Sequence, residues 1–248
     1  MKNAAKLFAV ISVLAMLGAC TTVPKAPIEP HPDTPAYDWK PLFANDLSDA
    51  EFEKGAWVWE GNVLRSVLDK PIWTKADWEN YVLDFEYMME KDGNSGVFIY
   101  ISNLDKYPKD KVLKYKIEVQ LLDDDSPKFK GKELAYQQSG SLYGRATAKV
   151  AAVTKDPAWC WRNNLTIWAK GKRIRVLLNG VEVQNANLDD FTSVNNPDGT
   201  VVPPWQRSQP PWCSIPTKGR IGLQGNHGKS SWFVWYARIR PLTNADAF

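Results

Sequence analysis

The chain has 248 residues, of which 31 are Lys or Arg and 28 are Asp or Glu, for a net charge of +3, and 12% of it is aromatic. Charges of both signs are interspersed, so no basic stripe marks a nucleic-acid binder. Roughly 200 residues follow Trp39 with no internal repeat and no second linker, enough for one domain with a sizeable core.

Residues 1–19 begin with Lys2 and Lys6, pass through an apolar run from Leu7 to Leu17 and end in Gly18-Ala19 ahead of Cys20. The run is too short to cross a bilayer as a mature helix and reads as an export leader. It resembles a bacterial lipoprotein signal. That resemblance implies cleavage before Cys20, acyl chains such as palmitate on that residue, and an anchor that is stable because it has more than one chain. Loss of Lys2 and Lys6 with the leader lowers the charge from +3 to +1. Thr21, in place of Asp after the lipidated residue, implies the outer membrane, with the domain facing the periplasm or the surface. Residues 20–38 hold Pro24, Pro27, Pro30, Pro32 and Pro35, which predicts a semi-rigid tether and not a packed element.

From Trp39 to Leu242 the pattern is one of short strands. Apolar or alternating runs recur at Trp57–Glu60, Val63–Leu68, Tyr81–Met89, Val97–Ser102, Leu113–Leu122, Leu165–Ala169, Arg173–Leu178, Ile221–Gln224 and Trp232–Arg240, and none keeps a helical period. Leu83, Phe85, Tyr87 and Met89 mark the core face of one of them. Trp57, Trp168 and Trp235 fall in such runs and are expected in the core. Asn179-Gly180 predicts a type I′ hairpin, and Asn94-Ser95-Gly96 a tight turn. Many short strands separated by turn residues make the fold all-β, a two-sheet sandwich or jelly roll. Residues 243–248 are a short tail.

Two connections, 123–139 and 189–218, are long for a compact domain. The second carries Trp205 and Trp212 among prolines. Cys160 and Cys213 are the remaining cysteines of an exported chain, so a bridge is expected to staple this loop near Trp161. Closing about fifty residues would contribute about 4 kcal/mol in the chain-entropy model. Neither flank has the spacing of a zinc site.

The segment from Lys114 to Asp123 is the most informative. Alternation sets Tyr115, Ile117, Val119 and Leu121 on one face, and Lys116, Glu118 and Gln120 on the other. The first face is core. The second is either a solvated surface or, with a carboxylate beside an amide, a cleft for polyols.

The series Leu42-Phe43, Asp46-Leu47-Ser48, Glu60-Gly61-Asn62-Val63-Leu64, Trp73-Thr74-Lys75, Gly93-Asn94-Ser95-Gly96-Val97-Phe98, Glu118-Val119-Gln120-Leu121-Leu122-Asp123, Gly140-Ser141-Leu142-Tyr143-Gly144, Leu178-Asn179-Gly180-Val181 and Gly219-Arg220-Ile221-Gly222-Leu223-Gln224, taken in order, resembles the 3-keto-disaccharide hydrolase domain family. The resemblance runs from about Leu42 to Pro241. It implies a concanavalin A-like jelly roll and a hydrolase or lyase acting on glycosides oxidised at C3. The chain departs at Tyr100, where members often have Arg, at Ile117, where they often have Tyr, and in the length of 189–218. These departures bear on substrate identity.

A ketone at C3 acidifies the hydrogen on C2. A carboxylate can remove it, the C1 substituent then leaves by elimination, and water adds back. Glu118 is assigned as the base because it is the only carboxylate on its polar face; a structural ion pair with Lys116 is its rival role. Lys75 is assigned to the enolate oxygen, and His227, in a glycine-flanked loop, to proton exchange or ligand binding. Gln120, Asp123, Trp73, Tyr143, Trp161 and Asn94 are assigned to the substrate. No cofactor is assigned; a divalent metal held by Glu118, Asp123 and His227 stays open, without a metal motif. Two other functions stand beside this one. A retaining glycosidase of the laminarinase type would use a bulge to bring Asp123 onto the face of Glu118. A carbohydrate-binding lipoprotein would need no catalysis.

Overall fold

The computed structural model describes residues 39–102, 116–131, 135–155, 162–192, 195–203, 210–227, 231–243 and 246. The strands described are β1 (Lys40–Pro41), β2 (Ala50–Phe52), β3 (Trp57–Glu60), β4 (Val63–Ser66), β5 (Ile72–Thr74), β6 (Tyr81–Met89), β7 (Asn94–Ile101), β8 (Ile117–Leu122), β9 (Asn163–Lys170), β10 (Arg173–Leu178), β11 (Val181–Asn187), β12 (Arg220–Leu223) and β13 (Trp232–Pro241). The larger sheet runs β11-β10-β9-β6-β13-β4-β3, with β1 added to β13, and the smaller runs β2-β5-β12-β7-β8. Every pairing is antiparallel, so each sheet alternates a core face with an outer face. Stacking the two core faces makes the all-β, jelly-roll-type sandwich that the strand pattern predicts.

Its core is filled by the inward residues of both sheets: Leu83, Phe85 and Tyr87 of β6, Val97 and Ile99 of β7, and Ile117, Val119 and Leu121 of β8. Trp232 sits among them, edge-on to Trp57 at 5.8 Å and to Phe85 at 6.3 Å, the arrangement that ring quadrupoles favour. Trp168 and Trp235 are buried elsewhere. They cover the outer face of the larger sheet, Trp168 with Val82, Leu177 and Leu242, and Trp235 with Val63 and Phe233. Alternation separates the two faces of a strand, but where both are buried it does not say which is inside.

The hairpin at Asn179-Gly180 has positive φ at both residues, 52° and 77°, as a type I′ turn requires. Asn94-Ser95-Gly96 does not turn; it is the start of β7. The reversal lies one step earlier, where Gly93 N donates to Glu90 O at 3.0 Å and Asp92 takes φ 62°. Further along β7 a bulge opposite β12, with Tyr100 at φ 58°, turns both Ile99 and Tyr100 inward. The Tyr100 hydroxyl donates to Gly171 O, in the turn joining β9 to β10, at 2.8 Å. Tyr100 and Ile117, expected to bear on substrate identity, are therefore both core residues.

Cys213 is a half-buried thiol; Cys160, and with it the expected bridge, lies outside the described residues, as do Trp161 and Trp205. Arg145 pins this loop. Its Nε donates to Asn196 Oδ1 at 2.7 Å, and its guanidinium lies 5.4 and 5.1 Å from the rings of Phe191 and Trp212.

Candidate active site

Strand β8 pairs with β7 without a register shift from Ile117 to Leu122 and forms one edge of the smaller sheet. Because Ile117, Val119 and Leu121 belong to the core, Glu118 and Gln120 point outward. Strand register then sets two rows across this outer face. Glu51, Trp73, Gly222, Phe98 and Glu118 are successive partners on β2, β5, β12, β7 and β8. The next row is Gln224, Gly96 and Gln120, with Gln224 N donating to Gly96 O at 2.9 Å. Asn94, two residues before Gly96, bridges to His227, which brings the imidazole loop onto the same face.

Two glycines let side chains lie across this surface. A methyl group at Gly222 would stand 2.2 Å from Trp73 Cε3, so the indole lies over that glycine and stacks on Phe98 with ring centres 5.4 Å apart. A methyl group at Gly96 would stand 2.7 Å from Glu118 Oε1. The carboxylate thus leans off its own strand and lies above Gly96. Lys116 Nζ is 3.0 Å from Glu118 Oε2 and 3.7 Å from the centre of the Phe98 ring. Glu118 is only 7% exposed, and that ammonium is the charge paired with it. The ion pair with Lys116 exists, and it lies on the site face.

Around this pair the polar groups are held in fixed positions. Gln120 Nε2 donates to Asn94 Oδ1 at 2.9 Å. His227 Nδ1 is 3.0 Å from Asp69 Oδ2, with both side chains half exposed. With Nδ1 engaged, Nε2 is the ring nitrogen left for proton exchange. Tyr143 N donates to Glu118 O at 2.9 Å and its ring meets Tyr136 edge-on at 5.8 Å, so the segment after β8 walls its open edge.

The family model of the 3-keto-alpha-glucoside-1,2-lyase-like domain matches residues 38–240. The chain belongs to this family. It is similar to a candidate glycosyl hydrolase from Parabacteroides distasonis ATCC 8503, with 35% identity and a TM-score of 0.74 over 82% of this chain and 99% of that one. A second such protein from that organism matches at 19% identity and a TM-score of 0.62 over 83% of this chain and 94% of that one. A Bacillus subtilis protein with a galectin-like fold matches at 12% identity and a TM-score of 0.52 over 84% and 96%. These two share the fold. No curated protein matches the chain. Family membership makes the protein carbohydrate-active.

Within this member of the lyase-like family, the outer face gathers Glu118, Gln120, Asn94, Trp73, Tyr143 and His227. Lys75 and Asp123 do not join them. Lys75 follows β5, and its exposed ammonium donates to Ser48 O at 2.7 Å. Three strand spacings separate β5 from β8, about 14 Å. Asp123 lies past the end of β8, where its carboxylate accepts from Asp92 N at 3.0 Å and pairs with Lys155. The regular β7–β8 register contains no bulge to bring it back. Among the described residues no three His, Cys, Asp or Glu side chains gather as metal ligands, and Glu118, Asp123 and His227 each have a different partner. That trio does not fit a metal.

Several groups on the face were not singled out from the sequence. Lys116 was legible as Glu118's neighbour two residues away; that Lys75 lies apart from them needed the strand order. Phe98, Gly96, Gly222, Gln224 and Asp69 enter only through pairings between distant segments. So does Arg220, whose Nη1 donates to Glu51 Oε2 at 2.6 Å at the far edge of the sheet.

Proposed function

We propose that the protein cleaves glycosides oxidised at C3 by taking the C2 proton onto Glu118. The observation that carries this reading is the Glu118 carboxylate lying above Gly96, with Lys116 Nζ 3.0 Å from its other oxygen. With the C2 hydrogen pointing down at Oε1, C3 and C1 extend to opposite sides along β7. The ketone oxygen then faces Phe98 and Lys116. The C1 substituent faces Asn94 and His227, two residues or about 7 Å along the strand.

Electrons from the C2–H bond form the C2–C3 double bond of an enolate, and the negative charge moves from the carboxylate to O3. Lys116 lies beside both positions, so its charge is compensated before and after the transfer. When the carbonyl re-forms, C1–C2 becomes the double bond and the C1–O bond breaks. The leaving oxygen takes a proton from His227, whose Nδ1 is held by Asp69. Water then adds its hydroxyl to C1 and a proton to C2, giving net hydrolysis. A retaining glycosidase needs a second carboxylate about 5 Å from the first. Asp123 is engaged elsewhere, and Glu51 lies at the opposite edge of the sheet. The leader and tether read from residues 1–38 support an exported, lipid-anchored setting, at the outer membrane.

The test is to incubate the protein with a disaccharide and with its C3-oxidised form. Release from the oxidised sugar alone supports elimination. Release from the plain sugar would favour a glycosidase, and binding of either without release would favour a carbohydrate-binding lipoprotein.

A further inference from the structure

Gln224 stands on the other side of Gly96 from Gln120. Leu223, the last residue of β12, is a core residue, and the hydrogen bond from Gln224 N to Gly96 O carries the register one residue further, so alternation turns the Gln224 side chain onto the face that carries Glu118. Its backbone is fixed twice: Gln224 N donates to Gly96 O at 2.9 Å, and Gln224 O accepts from Trp232 Nε1 at 2.8 Å and Ser95 Oγ at 3.0 Å. The side chain is different. Gln224 Oε1 is a buried carbonyl oxygen with no hydrogen-bond partner. A buried acceptor left unpaired is a cost that folding alone does not require, because an apolar side chain of the same size would avoid it. The other amide of the row is committed, since Gln120 Nε2 donates to Asn94 Oδ1.

We infer that Gln224 Oε1 accepts a hydrogen bond from the C2 hydroxyl of the sugar, and that this contact sets the C2 hydrogen onto Glu118. The inference deepens the proposed elimination and rests on it. With the C2 hydrogen directed at Oε1 above Gly96, C3 toward Lys116 and C1 toward His227, the fourth substituent of C2 must point sideways. The sides are β12 and β8. On the β8 side stand Gln120 and Tyr143, against which the ring packs; on the β12 side the free acceptor is Gln224. The hydroxyl stays on C2 when that carbon becomes trigonal, so the hydrogen bond persists through proton removal and holds the carbon over the base. Gln224 is a positioning residue: it neither gives nor takes a proton. The substrate class this selects is a 3-oxidised glycoside with a free hydroxyl on C2.

The experiment compares wild type with Gln224→Met, which keeps the length of the side chain and removes the acceptor. Each is assayed on a 3-oxidised disaccharide and on its 2-deoxy counterpart, both of which have an acidic C2 hydrogen. Wild type is expected to favour the hydroxylated substrate about tenfold in kcat/KM, the effect of one buried neutral hydrogen bond. In Gln224→Met that preference falls to within about twofold, and the melting temperature does not drop because a buried unpaired acceptor has been removed. A variant that keeps the wild-type preference overturns the inference, as does one that loses stability while keeping it. If wild type cleaves neither oxidised sugar, the elimination reading has failed on its own. Calorimetry with the plain disaccharide and its 2-deoxy form then decides the contact. Weaker binding of the 2-deoxy form by wild type but not by Gln224→Met supports it; equal binding, or none, overturns it.

Discussion

Replacing Gly96 with Ala tests whether the position of the Glu118 carboxylate matters to the chemistry. The added methyl would stand 2.7 Å from Oε1, 3.0 Å from Cγ and 3.2 Å from Cδ of Glu118. Ordinary contact begins near 3.4 Å, so the carboxylate must withdraw by about 0.7 Å, a displacement of the order that costs about a hundredfold in rate when reacting groups are misaligned. The fold has little to lose. The obstructing atoms are the end of a side chain, Gly96 is in a strand, and Ala there recovers about 0.5 kcal/mol of the backbone entropy that glycine gives up. Steady-state kinetics on a 3-oxidised disaccharide, with a melting curve on the same sample, should show kcat lowered between tenfold and a hundredfold. KM and the melting temperature should hardly move. An unchanged kcat in a folded variant would refute the reasoning, because the carboxylate would then be displaced without consequence.

Gly222→Ala should behave in the opposite way: its methyl meets the Trp73 indole at 2.2 and 2.3 Å, a rigid ring cannot yield as a carboxylate can, and overpacking of this kind costs about 2 kcal/mol. A denaturant titration should show the loss; a midpoint equal to wild type would mean that Trp73 is free to leave the face. Asp69→Asn removes the charged partner of His227 Nδ1 at 3.0 Å between half-exposed side chains, so stability should be nearly unchanged while kcat falls about tenfold; an unaltered kcat would remove His227 from proton transfer. At the C-terminal end, the Arg240 guanidinium, bonded to Asp246 at 2.6 Å, holds that carboxyl down to about 2 from its ordinary 3.8. A depressed carboxylate stabilises the fold above its unfolded value and ceases to do so as pH falls toward 2. Asp246→Asn should therefore be less stable by about 1 kcal/mol at pH 7, allowing for solvent screening. That deficit should close between about pH 4 and pH 2 in acid melts, and a deficit constant across that range would contradict the pairing.

The long strands were legible because alternation needs only one chain segment: Leu83, Phe85 and Tyr87 name the core face of β6, and Glu118 and Gln120 name the site face of β8. Short strands such as Ile72-Trp73-Thr74, buried at all three residues, carry no such period. What a single segment cannot show is which strand lies beside which. Lys116 was legible beside Glu118 on one face of the same strand, whereas only the order β2-β5-β12-β7-β8 shows that Lys75 lies three strands away from that carboxylate. Gly96 and Gly222 have the same history. Gly96 reads as part of a turn and Gly222 as part of a strand, yet both lie within paired strands, where a missing side chain makes room for Glu118 and Trp73. Arg145 is a further case: nothing in its own segment shows that it secures the loop of Phe191 and Trp212 through Asn196.

Proton removal from C2 by Glu118 can be followed directly by running the cleavage of a 3-oxidised disaccharide in heavy water and reading deuterium at C2 of the released keto sugar by NMR. Wild type should introduce one deuterium at C2 for each bond broken, and Glu118→Gln should neither cleave the substrate nor accelerate exchange at that carbon. Cleavage by wild type that leaves the C2 hydrogen in place, or undiminished exchange in Glu118→Gln, would contradict the account.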